Sequence, residues 1–273
     1  MKTTVSQFYD QNPENEWNRL TRSPYRRIEF EIVFHFLQTL LPREGMILDF
    51  GGGPGRYSLA LAKQGHRVTL IDLSEKHIAL AQQKIAGLGS QKHLLEAYVG
   101  DQNTLRTIPD KTYDAILCMG PLYHLTREKD RDFCMRECAR ILRPNGYLFL
   151  TAYPRLSYLL DSIRSRAFAS MQGDGYNAIH TILKQGHSAD ADLPDTYFCQ
   201  VEEIPKWFDR SGLAFVSMAS LHGPVSFMDD KIEPIAKNPH AWNELIQLLI
   251  ETCKEPQALA TAEYVLGIGQ KIP

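Results

Sequence analysis

Apolar residues recur along this chain in two rhythms, and the changes between them mark out its elements. Over residues 23–41 the positions Ile28, Ile32, Phe36 and Leu40 fall one helical turn apart between Pro24 and Pro42, which predicts a helix. Ile47 and Leu48 then open a short apolar strand that runs into glycines. A helical stretch follows and stops at Gly65, and residues 67–71 read as the next strand. Ser74 is placed to cap a helix through Ile78, Ala81 and Ile85 that ends at Gly87 or Gly89. Residues 93–99 form a third strand, and 113–119 is a nearly continuous apolar run of the kind buried on both faces of a parallel sheet. Thr126 is the expected cap of a helix that turns the charged residues 127–132 to solvent and Phe133, Met135, Cys138 and Leu142 inward. Pro144, Asn145 and Gly146 then turn the chain into a strand over 147–152.

Strand and helix thus alternate through five strands, and right-handed crossovers make a doubly wound, mostly parallel sheet the natural α/β architecture. The rhythm breaks over 154–200, which has mixed polarity and no sustained period and is too long for a plain connection; it reads as a cap, in part helical. The pattern resumes as a helix over 202–211, a strand over 213–221, a loop over 223–239, a helix over 241–253 and a last strand over 262–269, which brings the sheet to seven strands. The expected organisation is an N-terminal helical lid over 1–42, a ligand-binding core over 43–153, the cap over 154–200, and a C-terminal part that completes the sheet over 201–273.

Composition narrows the function classes. A formal net charge of −2, 23% charged residues and 44% hydrophobic residues describe an ordinary globular chain with no field that would gather a polyanion, so charge does not indicate nucleic acid. No apolar run reaches the roughly 20 residues that span a bilayer. The five cysteines are scattered, with no CxxC pair and no secretory leader, so thiols in a reducing cytoplasm are expected. Cys134 and Cys138 share a helix face with apolar neighbours and read as core, and no metal site is expected.

The chemistry concentrates in residues 47–72. Gly51, Gly53 and Gly55 let the backbone turn where a side chain would clash, and lead into a helix whose first N–H groups are unpaired. Asp72 ends the second strand, where a carboxylate can accept hydrogen bonds from ribose hydroxyls. Asp101, at the end of the third strand, can accept from the amino group of adenine, with Leu73 against a face of the base; Gly-Asp is also common turn chemistry. Counting the dinucleotide fingerprint from Gly51 places Arg56 where it needs a small residue, and no Gly-Lys-Ser/Thr follows the glycines, so nicotinamide and Walker-type sites are both disfavoured.

Asp49-Phe-Gly-Gly-Gly-Pro-Gly55 resembles the acidic-x-Gly-x-Gly-x-Gly signature of class I S-adenosylmethionine-dependent methyltransferases. The similarity continues through Asp72, Gly100-Asp101, residues 113–117 and residues 140–146. The segment Gly120-Pro-Leu-Tyr-His124 is similar to the small-molecule branch of that family, and the Asn/Asp-Pro-Pro-Tyr motif of nucleobase amino methylation is replaced by Cys118-Met-Gly-Pro121. The resemblance implies a Rossmann-like fold, S-adenosyl-L-methionine as methyl donor, S-adenosyl-L-homocysteine as product and a small organic acceptor. It implies that the backbone of Gly51, Gly53 and Gly55 receives the methionine part, Asp72 the ribose, Leu73 the adenine face, and Asp101 with Gln102 the adenine edge. Met119 would meet the amino group and Tyr9 would close over the donor. His124 is the first candidate for a base, if the acceptor must lose a proton, and Tyr123 can position the acceptor. Trp17, Tyr153 and Tyr176 are candidate aromatic walls, and His180 and His187 can reach in from the cap. A cofactor-binding partner protein without turnover and a tRNA or rRNA methyltransferase share this fold and remain alternatives.

Overall fold

The computed structural model describes residues 4–170, 172–187 and 194–273; parts of the cap, residues 171 and 188–193, lie outside the described residues. Three helices come first: α1 (Val5–Asp10), α2 (Pro13–Asn18) and α3 (Pro24–Leu40). The sheet is then laid down as β1 (Met46–Phe50), α4 (Arg56–Lys63), β2 (Arg67–Asp72), α5 (Glu75–Ala86), β3 (Leu95–Val99), β4 (Tyr113–Cys118), the short α6 (Pro121–His124), α7 (Glu128–Ile141) and β5 (Leu142–Pro154). The segment that follows holds α8 (Arg155–Ser170), α9 (Gly173–Gln185) and the two-residue β6 (Phe198–Cys199), and the chain closes with α10 (Glu203–Arg210), β7 (Leu213–Ser220), α11 (Asp229–Ala236), α12 (Pro239–Thr252), α13 (Pro256–Ala260) and β8 (Val265–Lys271).

The strand order is β3-β2-β1-β4-β5-β8-β7, with β6 beside the end of β5. β1 to β5 are parallel, and β8 runs antiparallel to both β5 and β7. The doubly wound sheet expected from the sequence is therefore present. Its burial follows the pleat, since neighbouring residues on one strand enter opposite layers. Ile47, Leu70, Leu117 and Phe149 pack with α3, α4 and α12 on one face. Leu48, Ile71, Ile116 and Leu148 pack with α7 and α10 on the other.

Four local readings are corrected. Residues 223–239 are not a loop: a 3₁₀ turn at Gly223–Val225 precedes α11, whose internal Pro234 and flanking prolines hid the helix. Residues 144–146 do not form a turn before a new strand; β5 runs through them, and Asn145 at φ +65° sits where the pairing with β4 shifts register between Tyr113 and Ala115. The N-cap of α7 is Arg127 rather than Thr126. Arg131 is not on a solvated face: it is buried, donates to the carbonyls of Leu125 (2.6 Å) and Thr126 (2.8 Å), and lies 3.7 Å over the Tyr197 ring.

α3 is joined to the far end of the chain by a buried group. Arg26 donates to Glu263 at 2.6 Å, and the Tyr25 hydroxyl donates to the other Glu263 oxygen at 2.8 Å. These bonds fix the N-terminal helices over the carboxyl ends of the strands.

Candidate active site

In an open parallel sheet the crevice lies where connections leave β1 and β4 in opposite directions. Here Gly51 and Gly120-Pro121 touch at that point. A Cβ on Gly51 would lie 2.2 Å from Pro121 Cγ, and one on Gly120 would lie 3.1 Å from the Gly51 carbonyl. Gly51 (φ +72°) and Gly53 (φ +59°) both use the left-handed region that glycine adopts without strain. Gly55 does not line the crevice; at φ +84° it starts α4, and a Cβ there would lie 3.0 Å from Leu70, so its smallness serves helix-to-sheet packing.

The floor is acidic. Asp49 is buried and accepts from the Ser58 hydroxyl at 2.6 Å. Burial, helped by the nearby Asp72 carboxylate, pushes the Asp49 carboxyl up to about 7, so a cationic ligand can draw it into the ionised form at little cost. Asp72 accepts from the Gly53 N–H at 2.8 Å and the Ser74 N–H at 2.9 Å, and its Oδ1 is 3.2 Å from His77 Nδ1. One carboxylate thus ties the glycine turn to the start of α5 while facing the crevice. Leu73, Asp101, Gln102 and Met119 line the same wall. The Asp101 carboxylate also accepts from Asn103 N–H (2.9 Å) and Nδ2 (3.0 Å), so turn chemistry and a place on the wall coexist in one residue.

The roof comes from α1 and α2. Ser74 donates to Asp10 at 2.5 Å, and Arg56 donates to the Trp17 carbonyl while its guanidinium lies 3.7 Å over the Trp17 ring. The residue that argued against a dinucleotide fingerprint is therefore a latch for the N-terminal helices. Trp17, held between Arg56 and Lys84, lines neither cavity described here. Arg19, just after α2, was missed by the sequence reading. It pairs with Glu16 (2.7 Å) and Glu29 (2.7 Å) and brings a guanidinium to the crevice that Asp49 and Tyr57 also line.

Tyr9 and His124 meet at the back. The Tyr9 hydroxyl is 3.0 Å from His124 Nε2, and His124 Nδ1 is 2.8 Å from the Asp195 carbonyl. A carbonyl only accepts, so Nδ1 carries the proton and Nε2 accepts from Tyr9. Burial lowers the His124 pKa and keeps the ring neutral, while burial and then Glu16 raise that of Tyr9. Tyr123 packs edge-on to His124 and Tyr153 at 4.7 Å each, and burial raises its pKa also. Behind these rings is a second cavity, which shares Tyr9, Glu16, Arg19, Tyr123 and His124 with the first and continues to Tyr153, Tyr158, Arg164 and Tyr264. His180, His187 and Tyr176 are exposed and line neither cavity; Tyr176 stacks on His180 instead.

Comparison with known proteins agrees with this geometry. The family described as "Methyltransferase domain" matches residues 48–150. A Bacillus subtilis protein named "Putative methyltransferase YqeM" is 34% identical over 121 residues, covering 43% of this chain and 46% of that protein. A ubiquinone biosynthesis O-methyltransferase of Coxiella burnetii is 27% identical over 178 residues, covering 64% of this chain and 66% of that one. The chain therefore spans about half to two thirds of these relatives' lengths. An S-adenosylmethionine-dependent methyltransferase of Methanosarcina mazei has the same fold, with a TM-score of 0.60 at 18% identity over 87% of this chain and 97% of that one. No helix among the described residues is long and apolar enough to cross a membrane. Residues 48–150, which carry the acidic glycine turn and β2, β3 and β4, thus match the methyltransferase domain family, and the sheet has the fold of an S-adenosylmethionine-dependent methyltransferase.

Proposed function

We propose that this protein transfers the methyl group of S-adenosylmethionine to a nitrogen, oxygen or carbon of a small organic acceptor. The observation that carries the reading is the pair of joined cavities, a glycine-lined crevice and a tyrosine-rich chamber that meet at Tyr9, Tyr123 and His124. The Coxiella relative, named for ubiquinone biosynthesis, supports a small acceptor.

The residues present fit the donor. His77 Nε2 and the Tyr57 hydroxyl are buried on the crevice wall with no hydrogen-bond partner among the described residues, and a ligand rich in hydroxyl and amino groups would satisfy both. The donor supplies an electrophilic methyl on a sulfonium leaving group. Gly51 and Gly53 offer backbone to its methionine part, with Arg19 for the carboxylate. Asp72 accepts from the ribose, Leu73 covers the adenine, Asp101 and Gln102 take its edge, and Met119 offers main chain to the amino group. The protein's chief contribution is alignment in a site shielded by α1 and α2, and orientation of this kind is worth up to about 7–11 kcal/mol.

The Tyr9–His124 bond directs the proton. His124 Nε2 already accepts from Tyr9, so an acceptor held near Tyr123 would pass its proton to the Tyr9 oxygen as Tyr9 passes its own to His124. The test is transfer of labelled methyl to a panel of small phenols, amines and carboxylic acids, with an RNA transcript alongside. Transfer to a small acceptor is expected, and Tyr9→Phe and His124→Gln should each lower turnover by roughly 10²–10⁴-fold with donor binding retained. Wild-type turnover in both variants removes the pair as the proton path. Donor binding without transfer to any acceptor would favour a non-catalytic holder of the cofactor.

A further inference from the structure

Away from the crevice, the fold gathers three of the five cysteines into one cluster. Cys118 is the last residue of β4, while Cys134 and Cys138 stand one turn apart on α7 and face it. Their sulfurs all lie within 4.8 Å of one another, and all three side chains are fully buried. None of the three lines the crevice, although the next residue, Met119, does.

We propose that Cys118, Cys134 and Cys138 form a three-thiolate site for a trivalent, thiophilic metalloid of the arsenite class. Three sulfurs select a soft centre. Charge selects its valence. The cluster lies in the apolar layer with Leu48, Ile116, Leu122 and Met135. Three thiolates around a monovalent ion leave two negative charges, and around a divalent ion one; unpaired charge in such surroundings is costly. A trivalent centre leaves none. Bonds of about 2.3 Å, the length of a zinc–thiolate bond, around a pyramidal trivalent centre require the sulfurs to close from within 4.8 Å to roughly 3.4 Å, a shift of up to ~1.5 Å.

The reaction is a condensation that needs no oxidant or reductant. Arsenous acid, As(OH)₃, meets three thiols; three S–H and three As–O bonds break, and three As–S and three O–H bonds form. Three water molecules leave, and arsenic stays trivalent. The neutral reactant carries no charge into the apolar layer.

The test is to incubate the full-length protein with arsenite overnight, both folded and during refolding from urea, with a monothiol present, and to weigh it by mass spectrometry. One arsenic per chain is expected, with three thiols protected from alkylation and Cys199 and Cys253 reactive once the chain is denatured. Cys118→Ala, Cys134→Ala and Cys138→Ala should each weaken retention by roughly 10²-fold, because one arm of the chelate is gone, while Cys199→Ala should not. The protection pattern of the wild type decides the matter even where a variant fails to fold. No arsenic retained by either route, equal retention without the three cysteines, or preference for cadmium over arsenite would overturn the proposal.

Discussion

Gly51→Ala is expected to cost the protein roughly 2–5 kcal/mol and to remove most of its affinity for S-adenosylmethionine. Two terms add. An L-residue in the left-handed region, at φ +72°, costs about 1–2 kcal/mol. The new methyl group would also stand 2.2 Å from Pro121 Cγ and 2.4 Å from its Cδ, and overpacking of this kind costs about 1–3 kcal/mol. The strain is relieved by parting the loops after β1 and β4, which are the two sides of the crevice. Gly65→Ala separates the terms: Gly65 has φ +97° and nothing within 4 Å of a built Cβ, so it carries the backbone cost alone and leaves donor binding intact. Thermal melting should show a fall of about 5–15 °C for Gly51→Ala and a smaller one for Gly65→Ala. Equal melting temperatures and affinities would mean that the contact with Pro121 is unimportant.

As the pH falls below 6.5 the protein is expected to lose the stability held by the neutral His222 ring, while Asp49, whose carboxyl takes up its proton more readily in the folded state, works in the opposite direction. This ring is fully buried, stacks 4.2 Å from Tyr25, and has no hydrogen-bond partner at either nitrogen among the described residues. Burial lowers its pKa from the ordinary 6.5 to about 3; Glu29 and Asp229 favour its charged form and Arg26 and Arg19 oppose it. The folded value lies below the unfolded one, so the unfolded chain binds the proton first. The stability held by the neutral ring is therefore intact above pH 6.5 and declines as the pH falls toward 3. At about 1.4 kcal/mol per pH unit, the loss between pH 6.5 and about 4 is of order 3 kcal/mol. Urea unfolding across that interval should show the wild type losing stability relative to His222→Phe, a comparison in which the Asp49 contribution cancels. Parallel profiles would assign the acid sensitivity to other groups.

Much of this architecture was legible because parallel strands buried on both faces leave unbroken apolar runs. The run at 113–119 and the glycine turn after Leu48 located the crevice to within a few residues. Contacts between residues distant in sequence were not legible. Nothing in the local pattern says that Arg19 enters the crevice, that Arg56 grips Trp17, or that the Tyr9 hydroxyl reaches His124 across 115 residues. Cys134 and Cys138 read as a packed helix face, and only the fold brings Cys118 to them. α11 was hidden by Pro234, because a proline inside a helix looks like a break when its neighbours are unknown. The chamber beside Tyr153 and Tyr264 is assembled from the N-terminal helices, α6, the end of β5, α8 and the residues just before β8, segments whose sequences carry no shared signal.

The central claim is that the crevice between β1 and β4 holds a methyl donor, and calorimetric titration of the purified protein tests it most directly. S-adenosylmethionine and S-adenosylhomocysteine should each bind at one per chain, competing for one site, and Gly51→Ala should weaken both. Absence of binding by either ligand to the folded wild-type protein would contradict the account.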